Sequence, residues 1–409
     1  MLEELLPFVR QRVSVLSLPI LGPSLDGYTA WMLRRGYPRR TVREYLRPIC
    51  RLEGRLLAMG VASDDCLTRE ALLACRPAPE RGDFLPTLVN SLDRFFLAQG
   101  HFNLRTPTVQ EVKAASFGEY LQKVRGFSPS TIQRYVAISL GLLDHLGFEG
   151  GAECLRNINA SVIESFIKSW GRQAGRTHLQ KIVAAIRSFL GFLAMTGDID
   201  PGFDGQIISS RVYRGERLPR ALAWETVQAF LDSIDRATPI GKRDYAMFLL
   251  MATYGLRRGE VGKLRLDNIE WRRERICLVQ SKTGRTLFLP LTDAVGASLL
   301  DYLQHGRPEW PFREVFLRAR APSGPLGAPA ITDAFQHWAR RSDKAIPFHG
   351  PHCLRHSLAV HLLRQGSSLK EIGDILGHHG AESTCVYIRL AVEDLREVAL
   401  SLPSGDGHE

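Results

Sequence analysis

Apolar residues recur at three- and four-residue intervals along most of this chain, and only two short runs, near 275–280 and 286–290, read as strands. A sequence patterned this way cannot build a large sheet. Ile163, Phe166, Ile167 and Trp170 fall on one helical stripe, and Leu179, Ile182, Val183, Ile186, Phe189, Leu190 and Leu193 fall on another, so these side chains are expected in a core. Further helices are expected over 224–234 and 243–254, after Arg257, and from the second strand onward. The expected fold is mainly α: helical N-terminal domains, then a mostly α domain with a small antiparallel β-sheet.

Two stretches repeat one arrangement. Gly36-Tyr37-Pro38-Arg39-Arg40-Thr41-Val42-Arg43-Glu44-Tyr45 and Gly126-Phe127-Ser128-Pro129-Ser130-Thr131-Ile132-Gln133-Arg134-Tyr135 align their Gly, Thr and Tyr at a 90-residue offset. In each a Gly closes one helix, a Pro-containing turn follows, and a Thr is expected to cap the next helix. The spacing suggests a duplicated small helical domain. Arg39, Arg40 and Arg43 of the first copy are candidate DNA contacts, and equally an ordinary solvated helix face. Lys168, Arg172, Arg176, Lys181 and Arg187 of the second copy carry the same two readings.

From Gly197 the composition turns rich in Pro, Gly and Asp, and then basic at Arg211, Arg214, Arg217 and Arg220, before a new helical pattern opens at Trp224. This divides the chain into an N-terminal helical segment 1–107, a second helical segment 108–200, a basic linker 201–222, a main domain 223–402 and a short flexible tail 403–409. The 409 residues are long enough for several cores.

Lys and Arg outnumber Asp and Glu by 53 to 43, a formal net charge of +10 that favours a polyanionic partner. The seven cysteines are scattered and never spaced Cys-x-x-Cys, which fits a reducing compartment and argues against a disulfide framework or a thiolate zinc site. The N-terminal Glu3 and Glu4 precede a helix-like Leu5, Leu6, Phe8, Val9 pattern, unlike a secretory signal. The longest apolar run, 245–252, is far shorter than the roughly 20 residues that span a bilayer. A soluble protein of the bacterial cytoplasm, without a membrane partner, is expected.

Four islands in the main domain combine a cation or an imidazole with a turn or a helix start. In Thr253-Tyr254-Gly255-Leu256-Arg257-Arg258-Gly259-Glu260 a helix ends at Gly255 and Arg257 stands beside the next helix N-terminus, a combination suited to anions. Ser281-Lys282-Thr283-Gly284-Arg285 puts Lys282 on the turn between the two strands. Gly350-Pro351-His352-Cys353-Leu354-Arg355-His356 places His352 and Arg355 three apart on one helix face. Leu376-Gly377-His378-His379 is followed, nine residues after His378, by Tyr387. A helical zinc site built on His352, His356 and His361 is disfavoured by Arg355 between the first two and by the lack of an adjacent Glu.

In the order Arg, Lys, His-x-x-Arg, Gly-His, Tyr, these islands resemble the tyrosine recombinases, the phage-integrase family that includes Xer-type resolvases. The words Leu218-Pro219-Arg220-Ala221-Leu222, Pro351-His352-x-Leu354-Arg355-His356 and Leu376-Gly377-His378 strengthen the resemblance, which spans about 215–400 and extends to a SAM-like core-binding domain from about 110. It implies a site-specific recombinase or integrase that cleaves and rejoins DNA through a 3′-phosphotyrosyl intermediate. On this resemblance Arg257 and Arg355 grip the scissile phosphate, and His378 adds a hydrogen bond to it. Lys282 protonates the departing 5′ oxygen, His352 helps to accept the tyrosine proton, and Tyr387 is the nucleophile. No metal, ATP or other cofactor is implied, since protein cations replace the ions other phosphoryl-transfer enzymes use.

The implied partners are a double-stranded recombination site and copies of the chain itself, a dimer on one site and a tetramer in synapsis, with related recombinases as further partners. The segment carrying Val392, Leu395, Val398 and Leu400 resembles the family's subunit-docking tail, and the additional N-terminal segment suggests a mobile element. Two alternatives share part of this pattern: a type IB topoisomerase-like enzyme, and a catalytically silent DNA-binding accessory protein. Arg258 stands as a rival to Arg257, which is preferred for its Arg-x-x-Glu spacing to Glu260, and His379 as a rival to His378.

Overall fold

A computed structural model describes residues 15–78, 80, 82–102, 107–150, 154–155, 158–171, 175–207, 219–280, 284, 286–377 and 382–388. The described residues fall into two compact units, one drawn from 1–102 together with 217–409, the other from 103–216.

The smaller unit is helical. Helices α6 (Val109–Lys123), α7 (Pro129–His145), α8 (Ala160–Gly171) and α9 (Arg176–Met195), followed by the one-turn α10 (Phe203–Gln206), enclose a core that includes Phe117, Leu142, Ile163, Phe166, Ile182, Ile186, Phe189 and Leu193. The first of them begins cleanly because Thr108 accepts a hydrogen bond from the Glu111 N–H while the Glu111 carboxylate accepts one from the Thr108 N–H. Both expected stripes line the core, with one correction: Trp170 is 43% exposed. A Cβ on Gly141 would lie 2.6 Å from its ring, so the indole lies over the bare backbone of that glycine instead of entering the core. Arg187 spends a guanidinium N–H on the Ile207 carbonyl, and Lys168 pairs with Glu164 on the helix surface.

In the larger unit the N-terminal stretch forms α1 (Gly22–Arg34), α2 (Arg39–Leu46), α3 (Ile49–Ala58), α4 (Arg69–Ala74) and α5 (Leu85–Gln99) around their own core of Leu25, Tyr28, Met32, Leu52, Leu88, Leu92 and Phe96. The buried Glu53 carboxylate satisfies the N–H groups of Ile20 and Leu21 at 2.7 and 3.1 Å, closing the chain onto α3. This part meets the main domain where the Ser323 N–H donates to the Arg35 carbonyl at 2.7 Å and Trp310 lies against Gly36, whose φ of +78° only glycine adopts readily.

The repeated sequence words adopt one local structure. Gly36 and Gly126 both have positive φ, the Val42 N–H reaches Pro38 O as the Ile132 N–H reaches Ser128 O, and Tyr37 packs on Tyr45 as Phe127 packs on Tyr135, every pair offset by 90 residues. The threonine is not the cap in either copy. Helix α2 begins at Arg39 and α7 at Pro129, so Thr41 and Thr131 are the third helical residues; Pro38 and Ser128, both in extended backbone, hold the cap positions.

The main domain packs α11 (Trp224–Asp232), α12 (Pro239–Tyr254), α14 (Asp293–His305), α15 (Ala328–Ala339) and α16 (His352–Arg364) about a core that includes Phe230, Met247, Phe248, Leu299, Tyr302, Phe335 and Leu354. Helix α12 starts earlier than the apolar run suggests, at Pro239, because the Thr238 hydroxyl caps the Gly241 N–H. The sheet is antiparallel in the order β1 (Ile269–Glu270), β2 (Arg275–Val279), β3 (Thr286–Pro290), with Ile276 opposite Leu289 and Val279 opposite Thr286. The two expected strands are β2 and β3; β1 is too short to leave an alternating pattern. Ile276, Leu278 and Leu289 point into the core, whereas Phe288 is exposed with the Arg275 guanidinium over its ring.

Candidate active site

Three short structural junctions gather the candidate residues. The first is the end of α12, where Gly255 adopts φ +62° and the chain turns at once into α13 (Arg258–Gly262). Arg257 stands at the cap position of α13. The Glu260 carboxylate accepts hydrogen bonds from both the Arg257 N–H and the Arg257 guanidinium, each at 2.8 Å, and is itself buried. Helix α13 has only five residues, so the helix-dipole contribution expected at Arg257 is slight and the guanidinium supplies the positive charge. Arg258 points elsewhere, donating to the Thr332 hydroxyl of α15 at 2.6 Å.

The second junction is the start of α16, opened by Pro351. Arg355, one turn in, is 2% exposed and donates to two carbonyls at 2.7 Å, Gly255 O at the end of α12 and Leu376 O at the end of α17 (Leu369–Leu376). Those two helix ends leave carbonyls without intrahelical partners, and one guanidinium satisfies both. Burial lowers the Arg355 pKa to about 10, with Arg257 pushing the same way and Tyr387 opposing. His352 is driven down to about 4, first by the protein around it and then by Arg355, Arg257 and Arg258, although its ring remains open to solvent on one side.

The third junction follows α17. Gly377 takes φ +63° to end that helix, and a Cβ there would run into the Gln280 side chain at 2.2 Å. Buried Gln280, the residue after β2, thus lies under the end of α17 and donates to Leu376 O at 3.5 Å. Lys282, just beyond Gln280, and His378 and His379, just beyond Gly377, lie outside the described residues, as do the basic linker residues 211, 214 and 217 and the apolar positions 392, 395, 398 and 400.

Tyr387 comes two residues after α18 (Glu382–Cys385) and is 2% exposed, seated in a small apolar cluster with Leu358, Ile372 and Leu376. Its hydroxyl is 3.0 Å from His356 Nδ1, and the two rings are 5.6 Å apart. Burial raises the Tyr387 pKa, while Arg355 and then Arg257 act to lower it. Among the described candidates, the Arg355 and Arg257 guanidiniums therefore act on both His352 and Tyr387. Arg39, Arg40 and Arg43 are not part of this group; they stand exposed on α2 of the N-terminal part, with Arg40 paired to Glu44.

Sequence reading alone overlooked His356 as a partner of the tyrosine. The signal was its i, i+4 spacing from His352, which puts both rings on one face; they meet edge to face with centroids 4.6 Å apart. His361, one and a half turns further on, stacks flat on Trp224 at 4.1 Å.

An arrangement of two guanidiniums, imidazoles and a buried phenol suits attack on a phosphodiester. The Phage integrase family matches residues 220–394, and the phage integrase N-terminal SAM-like domain matches residues 114–197. The integrase/recombinase y4rA of Sinorhizobium fredii is 31% identical over 400 residues, 95% of this chain and 97% of that protein. This chain belongs to the phage integrase family. Tyrosine recombinase XerC of Oceanobacillus iheyensis is 27% identical over 307 residues, covering 73% of this chain and 98% of its own. Among solved structures, a lambda integrase dimer bound to a COC′ core site superposes with TM-score 0.53 at 15% identity, covering 78% of this chain and 89% of that one. XerH site-specific recombinase bound to difH substrate gives TM-score 0.53 at 17% identity over 70% and 84%. These likenesses establish the fold. As a tyrosine recombinase of this family, the protein is an enzyme of DNA strand cleavage and rejoining.

Proposed function

We propose that the chain is a site-specific recombinase of a mobile genetic element, acting on double-stranded DNA through Tyr387. The observation that carries this reading is the seating of the Tyr387 hydroxyl beside His356 and near the Arg355 and Arg257 guanidiniums. A phenol with an ordinary pKa near 10 is a weak nucleophile, and two cations favour its anion. Arg355 has five N–H donors and Arg257 as many, so each retains donors for the phosphate beyond those already bonded to protein. In this scheme they bind the non-bridging oxygens, where negative charge grows in the transition state.

Lys282 is assigned protonation of the departing 5′ oxygen, His378 a hydrogen bond to the phosphate, and His352, a neutral imidazole at the rim of the site, a helping part in accepting the tyrosine proton. The phosphotyrosyl bond keeps the energy of the broken phosphodiester, so rejoining runs without ATP and the scheme assigns no step to a metal. Residues 1–107 are read as an added copy of the core-binding domain at 108–200, supported by the shared turn geometry 90 residues apart, followed by the linker 201–222, the catalytic domain 223–402 and the tail 403–409. Work on two duplexes calls for a dimer on each site and a tetramer in synapsis, held in part by the segment after 391, and related recombinases fit beside it. The solved lambda integrase is itself a DNA-bound dimer.

The test is incubation of wild-type protein and Tyr387→Phe with the element's flanking DNA carrying a nicked site that traps the cut strand, followed by denaturing electrophoresis. A protease-sensitive adduct in wild type only is the expected result. An adduct of equal yield in Tyr387→Phe would remove the tyrosine from its role, and DNA binding with no adduct in either protein would indicate an accessory protein. Truncation from about residue 391 is expected to abolish synapsis while leaving binding to a single site.

A further inference from the structure

We propose that His356 is the residue that holds the Tyr387 hydroxyl and takes its proton as the phenol attacks phosphorus; this rests on the reading of Tyr387 as nucleophile. His356 Nδ1 and Tyr387 Oη are 3.0 Å apart, within the range of a direct proton transfer. The contact joins two elements 31 residues apart in sequence, and both partners are anchored. His356 sits on the second turn of α16, the helix whose buried residues Arg355 and Ser357 flank it, and Tyr387 is locked by burial in the cluster of Leu358, Ile372 and Leu376.

The other imidazole of α16 is placed differently. His352 meets the protein through the edge-to-face contact with the His356 ring, and its surroundings, Arg355, Arg257 and Arg258 among them, keep it neutral. His352 thus borders the acceptor ring, whereas His356 touches the reacting oxygen.

Charge and proton both balance in the step. Neutral His356, with its hydrogen on Nε2, accepts the phenolic proton at Nδ1 as the Tyr387 Oη–P bond forms and the P–O5′ bond breaks; the 5′ oxygen takes a proton from a separate acid, assigned above to Lys282. In rejoining, the 5′ hydroxyl attacks the phosphotyrosine and the imidazolium returns its proton to Tyr387. The imidazolium forms beside the phosphate, whose negative charge offsets it and the nearby arginines.

The test is single-turnover formation of the covalent adduct on nicked trap DNA, with His356→Ala and His356→Asn compared against wild type and Tyr387→Phe, on an ordinary substrate and on one with sulfur at the bridging 5′ position. General-base removal is expected to slow His356→Ala by about 10²-fold or more, with binding of intact DNA unchanged. Added imidazole is expected to restore part of the rate. Because sulfur leaves without protonation, it is expected to rescue Lys282→Ala and not His356→Ala.

His356→Asn keeps a hydrogen-bonding group near the same position but accepts no proton, so it is expected to be equally slow; it decides the matter should the alanine variant fold poorly. Wild-type rates in either His356 variant, or rescue of His356→Ala by the sulfur substrate, would overturn the proposal. An adduct formed by Tyr387→Phe would instead overturn the nucleophile assignment itself.

Discussion

Glu260 holds Arg257 twice, accepting from its main-chain N–H and from its guanidinium, each at 2.8 Å. The carboxylate is almost wholly buried while the arginine is about one quarter exposed, at 24%. The pair therefore fixes where the guanidinium sits and leaves its outer edge for an anion. Removing one partner of a fully buried pair costs about 3–5 kcal/mol, and the solvent at Arg257 reduces that to about 2 kcal/mol for Glu260→Ala. Urea unfolding measures this, and the adduct rate is expected to drop at least tenfold in parallel. A Glu260→Ala protein with unchanged midpoint and rate would show that Arg257 needs no such anchor.

Gly255 is the second constraint on the same site. It has φ +62°, and a Cβ would lie 2.4 Å from a Leu376 methyl and 3.4 Å from Arg355 Cγ. Gly255→Ala must move the end of α17 or the Arg355 side chain as well as bear backbone strain of about 1–2 kcal/mol, for a total loss of about 3 kcal/mol. Gly366, with φ +86° and open space around it, isolates the backbone part, so Gly366→Ala is expected to lose only about 1 kcal/mol. Thermal melts of the two variants compare them directly; equal losses would remove the packing argument.

These two positions show what the sequence could and could not convey. Periodicity located α11, α12 and both long strands, since each buries one face and is bounded by caps or turns within the local sequence. The residue types at Arg257, Arg355 and Tyr387, in that order, carried the resemblance to the family. What escaped were contacts between segments far apart in the chain. Arg355 reaching Gly255 O, 100 residues away, leaves no local trace, nor does Gln280 beneath Gly377, and the His356 contact with Tyr387 spans 31 residues. Trp170 misled for the complementary reason: its stripe position is apolar, but the neighbour that receives it is a glycine on another helix.

Arg39, Arg40 and Arg43 stand exposed along the short helix α2. If they follow a phosphate backbone, replacing all three with alanine releases about three fewer counterions on binding, flattening the slope of log affinity against log salt by roughly 0.9 per lost contact. Affinity is expected to fall for every DNA sequence alike, with adduct formation at saturating DNA little changed. Filter binding across a salt series reads the slope. A slope equal to that of wild type would return these arginines to the status of a solvated helix face.

His352 gives the site a pH signature in stability. In the unfolded chain an imidazole titrates near 6.5, and in the fold its pKa is about 4, chiefly through the surrounding protein and then through Arg355 and Arg257. Between those values the unfolded chain binds the proton more readily than the folded one. The stability owed to the neutral ring is therefore fully present above about pH 6.5 and is lost as the pH falls toward 4. Because one side of the ring faces solvent, the loss is smaller than full burial would give. His352→Gln carries no titrating group, so its urea midpoint is expected to fall less than that of wild type between about pH 7.5 and pH 5. An equal fall in both proteins would mean that other groups account for the acid sensitivity and that His352 is not held neutral by its surroundings.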